Sequence, residues 1–251
     1  MFRVLFALSL LSLSACSHSI SMRASHFNMP VVSNEQWQGH AAVVMASETR
    51  VTLVNDINST PPLRDKVLIN SDIDASDFVT GANNVGFDAS VSVFKGIEVY
   101  LENFLWGARF QFLNHGTQNR VWVGSLMGAY GTKSETTTDA FYLGNNTTDA
   151  KAKSDITTSQ AGVSLGYKYE YLVPYFSYIY EFHKVKTSIT STNGTFGPYD
   201  DEGNHSYYSV GLSTHQKGLR AAIEYSHIDI KWDRSDRESQ EAFGIKLGFA
   251  W

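Results

Sequence analysis

From about residue 37 to the last residue, apolar side chains recur at every second position, in runs separated by turn residues. The closing run is the plainest. Phe243, Ile245, Leu247, Phe249 and Trp251 alternate with Gly244, Lys246, Gly248 and Ala250. Successive side chains of a strand point to opposite faces, so such a run has one apolar face and one small or charged face. The pattern returns in Ala161, Val163, Leu165 and Tyr167 against Gly162, Ser164, Gly166 and Lys168. It returns again in Phe176, Tyr178, Tyr180 and Phe182 against Ser177, Ile179, Glu181 and His183. Leu219, Ala221, Ile223 and Tyr225 do the same against Arg220, Ala222, Glu224 and Ser226. The chain is expected to be all-β.

The connections carry a second regularity. Those at 95–96, 114–119, 171–174 and 215–218 are short, whereas those at 55–83, 132–155, 191–205 and 232–240 are longer and polar. They alternate along the chain, as in an up-and-down antiparallel membrane barrel with short periplasmic turns and long outer loops. Residues 97–113 read as one strand would put turn 114–119 among the long loops. Read as a hairpin bending near Glu102 and Asn103, they put every short turn at one end and give an even strand number, as bacterial barrels have. The expectation is a closed transmembrane barrel of ten strands over residues 37–251, with eight or twelve as alternatives. The first strand, Trp37 to about Val54, is long enough to be broken differently.

Hydrocarbon leaves no water to satisfy backbone groups, so a spanning sheet must close on itself. Its apolar face turns to lipid. Arg109, Lys168, Glu181, Arg220, Glu224 and Lys246 then fall in a narrow lumen, where they are read as a salt-bridge plug or as the lining of a small polar pore. The competing reading is a soluble, lipidated periplasmic barrel with the apolar faces turned inward around an apolar ligand.

The chain opens MFRVLFALSLLSLSAC, with Arg3 before an apolar core and small residues after it, which reads as a secretory signal over residues 1–15. Its single cysteine, Cys16, follows Leu13-Ser14-Ala15. This resembles the bacterial lipobox and implies lipidation of Cys16, with Ser17 implying sorting to the outer membrane. Residues 16–36 are polar and poorly periodic. They are read as a lipidated N-terminus and periplasmic tether, with His18 and His26 solvated.

The closing run resembles the C-terminal sorting signal of bacterial outer-membrane barrels, carried here by Phe243, Ile245, Leu247, Phe249 and Trp251, and implies recognition by the barrel-insertion machinery. In strand rhythm the whole domain resembles small porin-like barrels of the OmpA and OmpW type. That implies a Gram-negative outer membrane, lipid and lipopolysaccharide as surroundings, and a surface ligand or small solutes as partners. The role implied is non-enzymatic.

Hydrolases of the outer membrane are the alternative. Ser226, His227 and Asp229 supply the residue types of lipid A deacylases and phospholipases, but neighbours on a strand face opposite sides. Asp72 and Asp74 with His227 and Asp229 resemble the residue pairs of omptin proteases, in reversed order. No catalytic residue, metal spacing or phosphate-binding loop is assigned, and no cofactor is expected. With a net charge of −5 and no basic run, nucleic acid is not expected as a partner. The glycosylation sequons beginning at Asn58, Asn146 and Asn193 are read as chance matches in polar loops.

Overall fold

The computed structural model describes residues 15–32, 35–56, 63–70, 85–114, 119–137, 140–143, 146–149, 151–191, 194–215, 217–233 and 235–251. Residues 1–14 of the signal segment, Asp72, Asp74 and the sequon at Asn58 lie outside them.

Ten strands form the wall: β2 (Gly39–Ala46), β5 (Val85–Phe94), β6 (Ile97–Glu102), β7 (Leu105–Leu113), β8 (Val121–Thr137), β11 (Lys151–Lys168), β12 (Leu172–Ser191), β13 (Gly194–Thr214), β14 (Gly218–Trp232) and β15 (Glu238–Ala250). Each pairs antiparallel with its neighbour, and β15 returns to β2, so the barrel is closed. The hairpin within 97–113 bends at Asn103, whose φ of 52° lies in the left-handed region and whose side-chain Oδ1 accepts the Phe87 N–H at 2.9 Å. The end holding the short turns and Trp251 is called lower here, the other upper.

Two further sheets lie off the wall. β1 (Ala15–Arg23), β3 (Glu48–Asp56) and β4 (Leu63–Asn70) form one, and β9 (Ala140–Leu143) pairs with β10 (Asn146–Asp149). The expected first strand is therefore two. The alternation slips by one residue where Ala46 and Ser47 are both buried, and from there β3 leaves the wall to pair with β1 and β4.

The wall strands also run further than expected. Most of 132–155 and 191–205, read as loops, is strand. The backbone alternation continues, but the polarity of the two faces inverts. In β12 the outward side chains change from Phe176, Tyr178, Tyr180 and Phe182 to Lys184 and Lys186, and the inward ones from Ser177 and Glu181 to Val185 and Ile189. β14 inverts likewise, from outward Ile223 and Tyr225 to inward Ile228 and Ile230. Outside, Lys184 meets its cross-strand partner Glu202 at 3.0 Å. Inside, Ile156, Val185, Ile228 and Ile230 enclose Ile20, Met22 and Leu53 of the inner sheet in one apolar cluster. The upper section is thus built like a water-soluble protein and the lower section is not.

Candidate functional site: a lumen filled by the chain's own N-terminus

Residues 24–32 thread the barrel lengthwise. Ala24, Ser25, Phe27, Asn28, Met29 and Val32 are fully buried. The segment read as a solvated tether is instead a plug. Above it β1 lies against the upper wall, where His18 Nε2 is 2.9 Å from Ser154 Oγ. Below it the chain turns at residues 35–38 into β2. Polar residues enter the lumen because the wall supplies partners, and inward-facing glycines supply room. A Cβ on Gly244 would sit 2.7 Å from the Phe27 ring, and one on Gly166 2.7 Å from Pro30 Cγ.

The strongest clamp is Glu224. Its Oε1 accepts Ser25 Oγ–H at 2.8 Å and the backbone N–H groups of His26 and Phe27, each at 3.1 Å. Phe27 has a φ of 49°, a left-handed turn that helps aim these consecutive amides at one carboxylate oxygen. Tyr175 donates to the other oxygen at 2.8 Å. Further along the plug, Glu102 meets Arg23 Nη1 at 3.0 Å and His26 Nδ1 at 2.7 Å. At the lower end, Gln111 Oε1 accepts the Val32 N–H at 2.9 Å.

All six side chains read as lumen charges are buried. They do not form one mutual plug. Arg109 pairs with Glu98 at 2.9 Å and Lys246 with Asp88 at 2.9 Å. Glu224 holds the N-terminal segment. Glu181 accepts from Gln160 at 3.0 Å and Tyr207 at 2.8 Å. Arg220 lies against Met29 of the plug, its Nη2 4.0 Å from Sδ, and Lys168 is buried near the lower turns. Sequence reasoning missed Asp88, Glu98, Glu102, His26 and His40. The periodic pattern puts Asp88, Glu98 and Glu102 on the inward faces of β5 and β6, but only the register shows which charges meet.

Ser226 and His227 are not brought together. Ser226 points inward to Ser209 Oγ at 2.7 Å, whereas His227 points outward to Glu241 at 2.8 Å. Another chain of the same residue types exists in the lower lumen. Ser90 Oγ lies 2.8 Å from His40 Nδ1, and His40 Nε2 lies 2.9 Å from Asp88. Asp88 is engaged by Lys246, and all three residues are buried, so the arrangement satisfies buried polar groups.

At the upper rim a cleft of about 230 Å³ lies between the inner sheet and the tops of β5 and β8, lined by Ser21, Arg23, Glu48, Lys133 and Glu135 among others. Burial pushes the Glu48 carboxyl above its ordinary range. The five closing residues occupy β15 and its end, with Phe243, Leu247, Phe249 and Trp251 exposed on the outer face.

No family model and no curated protein matches the chain. Among solved structures it is similar to Ail, the attachment invasion locus protein of Yersinia pestis, at 12% identity and a TM-score of 0.37, over 86% of this chain and 100% of that one. The same protein in complex with the heparin analogue sucrose octasulfate gives 13%, with a TM-score of 0.38 and the same coverage. The outer membrane channel DcaP of Acinetobacter baumannii gives 7% identity and a TM-score of 0.21, over 94% of this chain and 98% of that one. The fold assignment rests on the strand pairing itself, a closed ten-stranded antiparallel barrel.

Proposed function

We propose that this chain is an integral outer-membrane barrel of a Gram-negative envelope, closed by its own N-terminal segment, with a structural or surface-interaction role. The observation that carries this reading is the polarity inversion. From Leu172 to Phe182 the outward side chains of β12 are apolar or aromatic, and from Lys184 upward they are polar. That band matches the roughly 9–11 residues a tilted strand needs to cross hydrocarbon. Trp106, Tyr130, Trp122, Tyr171 and Trp251 are exposed towards its two margins, where interfacial aromatics belong. A soluble barrel around an apolar ligand would need these faces turned inward.

With short turns on the periplasmic side, the upper section projects from the cell. The filled lumen favours surface interaction over solute passage, and the rim cleft is where a surface ligand would meet the chain. Lipid and lipopolysaccharide surround the band, and the insertion machinery reads the closing strand β15. Residues 1–15 are the signal and Cys16 carries lipid. β1 runs along the upper wall, with the backbone of Cys16 paired to Asn55. A seated plug therefore carries Cys16 to the outer side, and an anchor in the inner leaflet requires the plug to be withdrawn.

The test is electrophoresis of outer membranes from cells expressing the full chain, unheated and boiled in SDS. The expected result is a heat-dependent change in migration of a band confined to the outer-membrane fraction. A band that does not shift, released by mild detergent as a soluble species, would overturn the reading.

A further inference from the structure

We propose that Glu181, His183 and His205 bind a divalent transition ion of the zinc class inside the upper lumen, with His26 of the plug as the fourth side chain at the same carboxylate. Glu181 and His183 lie two residues apart on the inward face of β12, and His205 is the direct cross-strand partner of Glu181. The three are at most 2% exposed, and their ligand atoms lie within 4.8 Å of one another. A tetrahedral ion with bonds of about 2.0–2.2 Å separates its ligands by roughly 3.3–3.6 Å. His183 Nε2 is 3.4 Å from Glu181 Oε2, and His26 Nε2 is 3.4 Å from Oε1.

The imidazoles are aimed. His183 is held through Nδ1, 3.0 Å from Thr158 Oγ1, and His26 through Nδ1 by Glu102. Ligating histidines are oriented in this way through their other ring nitrogen. The Nε2 atoms of both rings are buried and face the Glu181 carboxylate at 3.4 Å. The Nε2 of His205 accepts the Trp232 indole N–H at 3.1 Å and so carries a lone pair. Its Nδ1 stands 3.1 Å from Tyr207 Oη, which donates to Glu181. Binding exchanges the indole hydrogen bond for a coordinate bond. A cavity of about 20 Å³, roughly one water, adjoins His26, Glu181 and His183 and leaves space at the carboxylate. Imidazole nitrogens with one carboxylate suit zinc, cobalt, nickel or copper and not calcium or magnesium.

The site is independent of the membrane reading and is tested on tag-free full chain refolded in detergent and stripped with chelator. Titration with cobalt(II) chloride is expected to saturate at one ion per chain, with the visible absorption of a four-coordinate N/O site, and zinc chloride to displace it. Trp232 is the buried tryptophan of the five and stacks on His183 at 5.9 Å, so its fluorescence changes with binding and Trp232→Phe removes that signal. His183→Ala and His205→Ala are expected to weaken binding at least 100-fold, and His26→Ala about 10-fold. Each variant is checked for heat-dependent migration. Should an alanine variant not fold, His183→Gln decides. Absence of the cobalt spectrum in folded protein, or full affinity in a folded His183 variant, would overturn the proposal.

Discussion

Glu224→Ala releases the N-terminal segment from the lumen. The wild-type carboxylate accepts from Ser25, His26 and Phe27 of the plug and from Tyr175 of the wall. Hydrogen bonds to a charged group contribute about 1.5–3 kcal/mol each and a buried donor left unsatisfied costs about 1–3 kcal/mol, so losing all four together costs at least about 3 kcal/mol. A seating equilibrium shifted by that amount moves by a factor of 100 or more, at about 1.4 kcal/mol per tenfold. Limited proteolysis of the refolded chain reads the change as cleavage within residues 18–34. Planar-bilayer recording reads it as conductance absent from the wild type. Glu224→Gln keeps an acceptor oxygen and gives a smaller effect. Wild-type protease resistance in a folded Glu224→Ala chain would show that the clamp does not hold the plug.

Leu247→Arg weakens insertion. Leu247 sits on the outer face of the closing strand, 55% exposed, with Ile245 and Phe249 beside it on that face. An arginine facing lipid near the midplane costs about 2–4 kcal/mol, less towards the interfaces. Urea titration of folding into bilayers should show a loss of that size. The control lies on the same outer surface above the band: Lys186→Leu, 70% exposed at its side chain, should change stability by no more than about 0.5 kcal/mol. Equal responses at the two positions would mean that no hydrocarbon slab surrounds the lower section.

The contrast between Leu247 and Lys186 also explains what the sequence could show. In the lower section apolar residues alternate strictly, because one face meets lipid and the other a polar lumen. The hairpin at Asn103 followed from the alternation of short and long connections. The upper ends of β8, β11 and β13 fall within 132–155 and 191–205 and read as loops because their outer faces carry Ser134, Lys153, Asp155, Asp200 and Glu202. Their apolar residues had moved to the other face, and a change of phase without a change of backbone looks like the end of a strand. The plug was illegible for a different reason. Residues 24–32 make few backbone hydrogen bonds of their own, and their burial depends on Glu224, Gln111 and the glycines opposite them, residues more than 75 positions away in sequence. The histidine cluster has the same origin. His26 comes from the plug, His183 shares the inward face of β12 with Glu181, and only the register puts His205 beside them.

The central claim is a membrane barrel threaded by its own N-terminus, with the two ends of the thread on opposite sides. Cysteine labelling of intact cells with a membrane-impermeant maleimide tests it most directly. Ser19→Cys places a thiol at an exposed position of β1 near the upper end, and Lys217→Cys places one in a lower turn, where the side chain is 68% exposed. The parent chain, with Cys16 alone, sets the background. The account predicts labelling of Ser19→Cys on intact cells and of Lys217→Cys only after the outer membrane is permeabilised. Protection of both until permeabilisation would place the N-terminus below the membrane and contradict a seated plug.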